Sequence, residues 1–306
     1  MNLKPVLFCI LFLAATIGFA QNTLPLKVGS YNIRYDNKWD REANNAWEER
    51  LPVIASILNW EEVDVFGAQE VLVHQLEDMK QALPDYAYYG VGRDDGKEEG
   101  EFAPVFYKKG KFKRLQTGDF WLSETPDKPS VGWDAALPRI CTYVELEDKE
   151  TGKRFWFFNL HMDHIGVKAR EESSKLVVNK IKEIAGKAPV FLTGDFNVDQ
   201  KNEIYTILSK SGILNDAFEE TDQKMAWNGT FNAFDTALWT DSRIDHIFVT
   251  EGVKVDKYAV LTETYRRILT DEEVKKGDFP EELSSQPAEV RLPSDHFPIF
   301  ARVRLL

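Results

Sequence analysis

Short apolar runs alternate along the chain with segments whose apolar residues recur every three or four positions. LKVGSYNIR (26–34) reads as a strand, and WEERLPVIASILNW follows with Leu51, Ile54 and Leu58 on one helical face. VDVFGAQE (63–70) is a short buried strand, after which Leu72, Leu76, Met79 and Leu83 return at helical spacing. FAPVFYKK, CTYVELED and RFWFFNLHMD are strand-like, and Val177, Ile181 and Ile184 mark another helix. APVFLTGDFNV (188–198) is the next strand, Ile204, Ile207 and Leu208 define a helix before Gly212, and SRIDHIFVT and FPIFARVRL close the set. Many strands, some in hairpins, with helices outside them, predict a layered α/β sandwich. The polar segment 265–292 is expected to be a surface excursion, a short helix plus loop.

The first residues do not fit that pattern. Lys4 precedes an apolar run from Val6 to Ile17 that is short for a bilayer span, and Gly18-Phe19-Ala20 puts small residues where a signal peptidase reads. Residues 1–20 are therefore expected to be a signal peptide, with a membrane anchor as the alternative. Bulky Phe8 before Cys9 does not suit lipidation. The remaining 21–306, about 286 residues, suits one large catalytic domain, exported to the periplasm or beyond. Its single cysteine, Cys141, leaves no internal disulfide, so stability rests on a core that 43 % hydrophobic and 12 % aromatic residues can supply. The formal charge of −12 disfavours broad attraction to nucleic acid or anionic membrane, though not a local basic or metal-rich cleft. No stable membrane insertion is expected, and the chain is read as a monomer.

Polar residues stand where apolar strands stop. Asn32 ends the first, Glu70 follows VDVFGAQ, His161 ends FWFFNLH, and Asp195 and Asn197 end PVFLTGDFN. Asp245 lies in RIDHIF, and Asp295-His296 precede the last strand. Strand ends present side chains to a cleft, and a hydrophobic run has no packing reason to stop repeatedly on a carboxylate. On a continuing strand Asp195 and Asn197 would share a face, one to hold a water and the other to contact a phosphoryl oxygen. The same GDFN also reads as an Asp/Asn turn. Glu70 is a hard oxygen ligand suited to Mg²⁺, or a charge at the start of the helix that follows.

Three of the five histidines directly follow an aspartate, at Asp163-His164, Asp245-His246 and Asp295-His296. Neighbours on a strand face opposite ways, so a working pair must form across strands: Asp245 is expected to orient His296. His246 then falls on the opposite face with Ile244 and Phe248, as a hydrogen-bonded core histidine. Asp163-His164 line the cleft, hold a second metal, or belong to a solvated loop.

SYNIR, GAQE, NLHMDH, LTGDFN, RIDHIF and SDHFP, in that order over about 25–304, together resemble the endonuclease/exonuclease/phosphatase (DNase I-like) superfamily. The resemblance implies a four-layer α/β/β/α sandwich and phosphoester hydrolysis dependent on Mg²⁺, with Mn²⁺ as a substitute. It implies metal-side roles for Asn32, Glu70 and Asp295, and catalytic roles for His161, Asp195, Asn197, Asp245 and His296; either Asp195 or His296 would be the base. Relatives that cut at abasic sites carry an acid two residues after the first Asn. Here that position is Arg34, which weakens an abasic-site reading and leaves Arg34 as a phosphate contact.

YDNKWDREANNAWEERLPVI and DFWLSETPDKPSVGWDAALPRICTY resemble a secreted bacterial branch of the superfamily. In them Trp39, Trp47, Trp133 and Arg139 are candidates for a substrate pocket. Arg139 would grip phosphate and the indoles a sugar or base, or each Trp is simply packing. Tyr107 stands where relatives often carry a tyrosine, or is core. The expected partner is a small phosphorylated substrate or a phosphodiester, with or without sugar. A nuclease, a carbohydrate-active or glycan-binding protein on the same scaffold, and a non-catalytic binding module are the competing readings.

Overall fold

The computed structural model describes residues 23–270 and 286–306. The expected signal peptide lies outside the described residues, as does 271–285 within the expected excursion.

In chain order the first half comprises strand β1 (Leu24–Asn32), helices α1 (Lys38–Glu42) and α2 (Trp47–Trp60), strand β2 (Val65–Gln69), helix α3 (Val73–Ala82), and strands β3 (Tyr86–Tyr89), β4 (Val105–Lys108), β5 (Phe112–Trp121) and β6 (Ile140–Asp148). The second half comprises β7 (Arg154–His161), α4 (Val167–Ala185), β8 (Val190–Asp195), α5 (Glu203–Ser209), β9 (Asn215–Asp216), β10 (Lys224–Met225), β11 (Asp245–Val249), β12 (Val253–Val260), β13 (Tyr265–Ile268), β14 (Ala288–Arg291) and β15 (Ile299–Leu305). One sheet has the order β10-β12-β15-β1-β2-β4-β3 and a second β5-β6-β7-β8-β11-β9. The described parts of the 265–292 excursion form a two-stranded ribbon of β13 and β14, not a helix.

Why the two sheets stack follows from their side-chain alternation. In β7, Phe155 and Phe157 face the other sheet with Val28, Val65 and Phe191, while Trp156 and Phe158 face outward onto Val177 and Ile181 of α4. Both faces are buried, so FWFF (155–158) is apolar throughout. On the opposite side α2 and α3 bury Ile54, Leu58, Leu76 and Met79 against Phe66, Phe106 and Phe300. The layers are thus helix, sheet, sheet, helix. Tyr107 and Trp47 are core residues; the Trp47 indole donates to Asp78 at 2.8 Å rather than reaching a pocket.

The inward faces change character along the strands. β1 runs Val28, Ser30, Asn32; β7 runs Phe157, Asn159, His161; β8 runs Phe191, Thr193, Asp195. Apolar core gives way to a buried polar layer and then to the cleft residues. Asn159 organises the middle layer. Its amide donates to the carbonyls of Ala68 (2.7 Å) and Pro104 (3.0 Å), and its oxygen accepts from Gln69 (2.6 Å) and Thr193 (3.1 Å). A side chain on Gly67 would collide with that amide, since its Cβ would lie 2.1 Å from Asn159 Oδ1.

Candidate active site

Register brings the strand-end residues together. β7 and β8 are parallel with His161 opposite Asp195, and β11 is antiparallel to β8 with Asp245 opposite Asp195. Three functional side chains therefore share one row across three strands. From the other sheet, β1 delivers Asn32, β2 delivers Glu70, and the turn before β15 delivers Asp295 and His296. Fully buried Arg50 ties these exits together by donating to the carbonyls of Ile33 (2.6 Å), Arg34 (3.1 Å) and Pro293 (3.1 Å). Ser294 Oγ donates to the Asn32 carbonyl at 2.6 Å.

Arg34, Glu70 and Asn197 all have left-handed backbones, with φ of 59°, 60° and 49°. That conformation is costly for residues other than glycine and clusters at functional sites. For Asn197 it revises the same-face argument. β8 ends at Asp195, the chain turns with Asn197 N donating to Asp195 Oδ1 at 2.9 Å, and the turn, not strand alternation, brings both side chains to the cavity.

The cavity, about 550 Å³, is lined by Arg34, Glu70, Arg139, His161, Asp195, Asn197, Asp295 and His296 together with Tyr35, Glu101, Leu137, His164, Phe231 and Ile244. His296 Nδ1 lies 2.9 Å from Asp245 Oδ2 and Nε2 lies 3.7 Å from Asp195 Oδ2. Burial opposes an imidazolium here, but the carboxylates of Asp245, Asp195 and Asp295 outweigh it and hold His296 well above the ordinary histidine range. Burial and the neighbouring Asp245 raise Asp195, against the pull of His296 and His161. Burial pushes Asp295 up to about 6, with Glu70 adding repulsion while His296, Arg34 and Arg50 pull it down. His161 is the opposite case: burial and Arg139 lower it to about 3 despite Asp195 and Glu70, leaving a neutral ring. Its Nε2 is 3.6 Å from Asp195 Oδ2, and its Nδ1 is 3.6 Å from Glu101, which Arg93 clamps with two contacts of 2.6 and 3.0 Å.

Glu70, His161 and Asp195 each offer a ligand atom, all within 4.8 Å of one another. The amide nitrogen of Asn32 bridges Glu70 and Asp195 at 3.0 Å each, and its oxygen accepts from Arg34 N at 3.0 Å, which fixes the amide's orientation. Glu70 is thus held by N–H donors, from Asn32 and from Tyr35 at 3.1 Å, and forms no ion pair among the described residues. Two hard carboxylates and an imidazole nitrogen suit a divalent ion. Asp195, Asp245 and His296 form a second such group, but Asp245 and His296 already engage each other. Asp295 falls outside both groups, its Oδ2 3.3 Å from Arg34, while Asn32 bonds two of the carboxylates of the first.

The remaining candidates are placed as follows. Arg34 lines the cavity while bound to Asp40 at 2.8 Å, and buried Arg139 lines it from a bracket of Asp163 (3.2 Å) and His164 (2.9 Å). Asp163 also accepts from Ile165 N and Gly166 N, so it shapes the turn that carries His164. Trp133 is not among the residues that line this cavity, and Trp39 is exposed on α1. His246 is a core residue packed on Phe196 and Phe248, with Nε2 2.9 Å from the Val198 carbonyl, whereas Ile244, expected beside it, lines the cavity. Phe231, not foreseen from the sequence, packs its edge on the His296 ring at 5.1 Å. The isolated bridge pairing Phe231 with His296 is long-range, and no local pattern announces it.

Two stacked sheets with outer helices, and a strand-end cavity of carboxylates, histidines and arginines, define an α/β sandwich of the DNase I-like type. The chain belongs to the Endonuclease/Exonuclease/phosphatase family, whose profile matches residues 29–296. A solved endonuclease/exonuclease/phosphatase family protein from Bacteroides thetaiotaomicron is 48 % identical, with a TM-score of 0.86 over 93 % of this chain and 99 % of that one. A mannosyl-6-phosphatase from the same organism is 49 % identical, with a TM-score of 0.84 over 91 % of this chain and 99 % of that one. An uncharacterized protein of Acanthamoeba polyphaga mimivirus is 30 % identical over 224 residues, 69 % of this chain and 83 % of the relative.

Proposed function

We propose that this protein is a metal-dependent phosphomonoesterase whose substrate is a phosphorylated sugar residue. The observation that carries the chemistry is the row His161, Asp195, Asp245 with His296 and Glu70 around one cavity that also holds Arg34 and Arg139. The substrate class is supported by the 49 % identity, over nearly the whole length, to a mannosyl-6-phosphatase.

Glu70 would hold the divalent ion, Mg²⁺ by preference, with Asp195 and His161 in reach; when bound, the ion supplies neutralisation of charge on the phosphoryl group. His296, flanked by carboxylates on both ring nitrogens, is a cation and a donor to phosphoryl oxygen, not the base. That role falls to Asp195, which accepts a proton from the attacking water. Arg139 and the Asn197 amide fix the phosphoryl oxygens; as the water oxygen bonds to phosphorus the ester P–O bond breaks, and the departing sugar oxygen, beside the neutral His161 ring, takes its proton from solvent water. Positioning and preset charge supply most of the rate. Export through residues 1–20 belongs to the same proposal, and the N-terminal sequence of the processed protein tests it.

The test is release of phosphate from mannose 6-phosphate, compared with bis-p-nitrophenyl phosphate as a diester, with Mg²⁺ and with EDTA. Turnover of the monoester, abolished by EDTA and by Glu70→Ala and His296→Ala, is the expected result. Preference for the diester would move the protein to the phosphodiesterase or nuclease reading. Turnover indifferent to EDTA would remove the metal from the proposal.

A further inference from the structure

Residues 226–242, AWNGTFNAFDTALWTDS, form a loop that leaves the cavity wall and returns to it. Its inner end is fixed to the site: Thr230 Oγ1 accepts from the backbone of Ile244 (2.9 Å) and Asp245 (3.1 Å), and Phe231 packs on His296. Its outer end carries Trp227 and Trp239, 85 % and 68 % exposed. These indoles stand outside the core on a braced frame. Gly229 N donates to Thr240 O at 2.6 Å, Trp239 Nε1 to Trp227 O at 2.9 Å, and Asn228 bonds Leu238 O at 3.0 Å and Thr240 N at 3.1 Å. The arms approach so closely that a Cβ on Gly229 would lie 2.0 Å from Ser242 O. Trp39 on α1 and Trp60 at the end of α2 are exposed as well, but Trp227 and Trp239 are linked to each other on one constrained loop, which makes them a fixed aromatic surface for contact.

The chemistry of the loop selects the partner. Residues 226–242 contain Asp235 and Asp241 but no Lys or Arg, so the loop offers nothing to a nucleic-acid backbone or an anionic membrane. Indole faces suit neutral polyol rings, which present apolar C–H faces, and the half-buried Asn228 and Thr240 beside them hold the loop's own backbone in place. Phe231, on the same loop as both indoles, also lines the cavity, so the loop joins the two.

We infer that Trp227 and Trp239 form a subsite for the neutral sugar rings of a glycan whose phosphate occupies the cavity. This rests on the phosphomonoesterase reading for the phosphate and on the loop alone for the sugar. The natural substrate is then a phosphorylated oligosaccharide in preference to a free sugar phosphate, and the product a neutral glycan open to glycosidases.

The experiment compares kcat/KM on mannotriose 6-phosphate and mannose 6-phosphate for the wild type, Trp227→Ala, Trp239→Ala and Trp227→Phe. Saturation-transfer NMR with unphosphorylated mannotriose reads the subsite without turnover. The wild type should favour the trisaccharide about tenfold, each alanine variant should lose most of that ratio, and the phenylalanine variant should keep much of it. Mannotriose should show transfer in the wild type and not in Trp227→Ala. A ratio unmoved by either alanine change, with no mannotriose signal, overturns the subsite. If no ester is turned over but mannotriose transfer depends on Trp227, the subsite stands and the phosphomonoesterase reading fails. Co-sedimentation with phosphatidylcholine vesicles that is lost in the alanine variants would instead make the loop a membrane anchor and overturn the inference.

Discussion

Identical dipeptides have different fates because residues read their surroundings. Asp245 meets His296 behind the cavity wall, on the face strand alternation requires, while His246 turns to the core. Asp163 is spent on backbone N–H groups and Arg139. Replacing Asp245 by Asn keeps the shape and removes the charge that holds the His296 cation. We expect kcat to fall by about 10²–10⁴-fold with the circular dichroism unchanged; a kcat within a few-fold of wild type would dissolve the pair. A second residue-scale case is Asp216, enclosed by Arg243 (2.9 Å), Tyr205 (2.9 Å), Phe218 N (2.9 Å) and His246 (3.5 Å). Burial opposes its ionisation, yet His246 and Arg243 prevail and hold it below the usual carboxylate range. A depressed folded value stabilises above the unfolded pKa of about 3.9, and that stability is lost as pH falls toward the folded value. Asp216→Asn should therefore cost about 3 kcal/mol at pH 7, where buried Arg243 keeps only the exposed Glu219 (3.2 Å) as a counter-charge, and progressively less below pH 4. Urea unfolding at the two ends of that range measures it.

Among elements, what could be read from the chain was what is local and periodic. Apolar runs ending on Asn32, Glu70, His161 and Asp195 marked one edge of both sheets, because strand ends are where a buried pattern must stop. Contacts made only by register stayed hidden. Nothing in FFNLH shows that Asn159 bridges the sheets, or in WEERLP that Arg50 holds two loop exits on backbone carbonyls. Side chains beyond a strand end escaped alternation as well: Asn197 reaches the cavity by a left-handed turn, and Trp133 does not reach it. The Asn159 layer has an energetic consequence. Asn159→Ala leaves the Ala68 and Pro104 carbonyls and the Gln69 and Thr193 donors without that partner in a buried layer. Unsatisfied groups of this kind cost about 1–3 kcal/mol each, so a loss of about 3–5 kcal/mol is expected after relaxation. A thermal midpoint within a degree or two of wild type would show that the layer does not bind the sheets together.

For the whole molecule the decisive quantity is where its negative charge lies. A formal charge of −12 is tolerable when spread over a surface, but Glu70, Asp195, Asp245 and Asp295 converge on one site. Arg34, Arg50 and His296 offset part of that charge, while Glu70 is held by N–H donors and, among the described residues, by no ion pair. The fold thus keeps a repulsion that a divalent ion would relieve, and binding to the folded state alone adds RT ln(1 + [L]/Kd), about 2.7 kcal/mol at a hundredfold excess over Kd. Mg²⁺ should then raise the wild-type melting temperature by several degrees, and EDTA should reverse the gain. Glu70→Gln separates charge from shape, since its carbonyl can still accept from Asn32 or Tyr35. Without metal this variant should melt at or above the wild-type temperature, because one repulsive charge is gone, and Mg²⁺ should move it little. Were Glu70→Gln to melt well below wild type in EDTA, Glu70 would be a structural hydrogen-bond acceptor first and the carboxylate cluster would not be a strained cation site. If its midpoint rose with Mg²⁺ as far as the wild type's, the ion would sit elsewhere, and the Asp195, Asp245 and His296 group would be the next place to look.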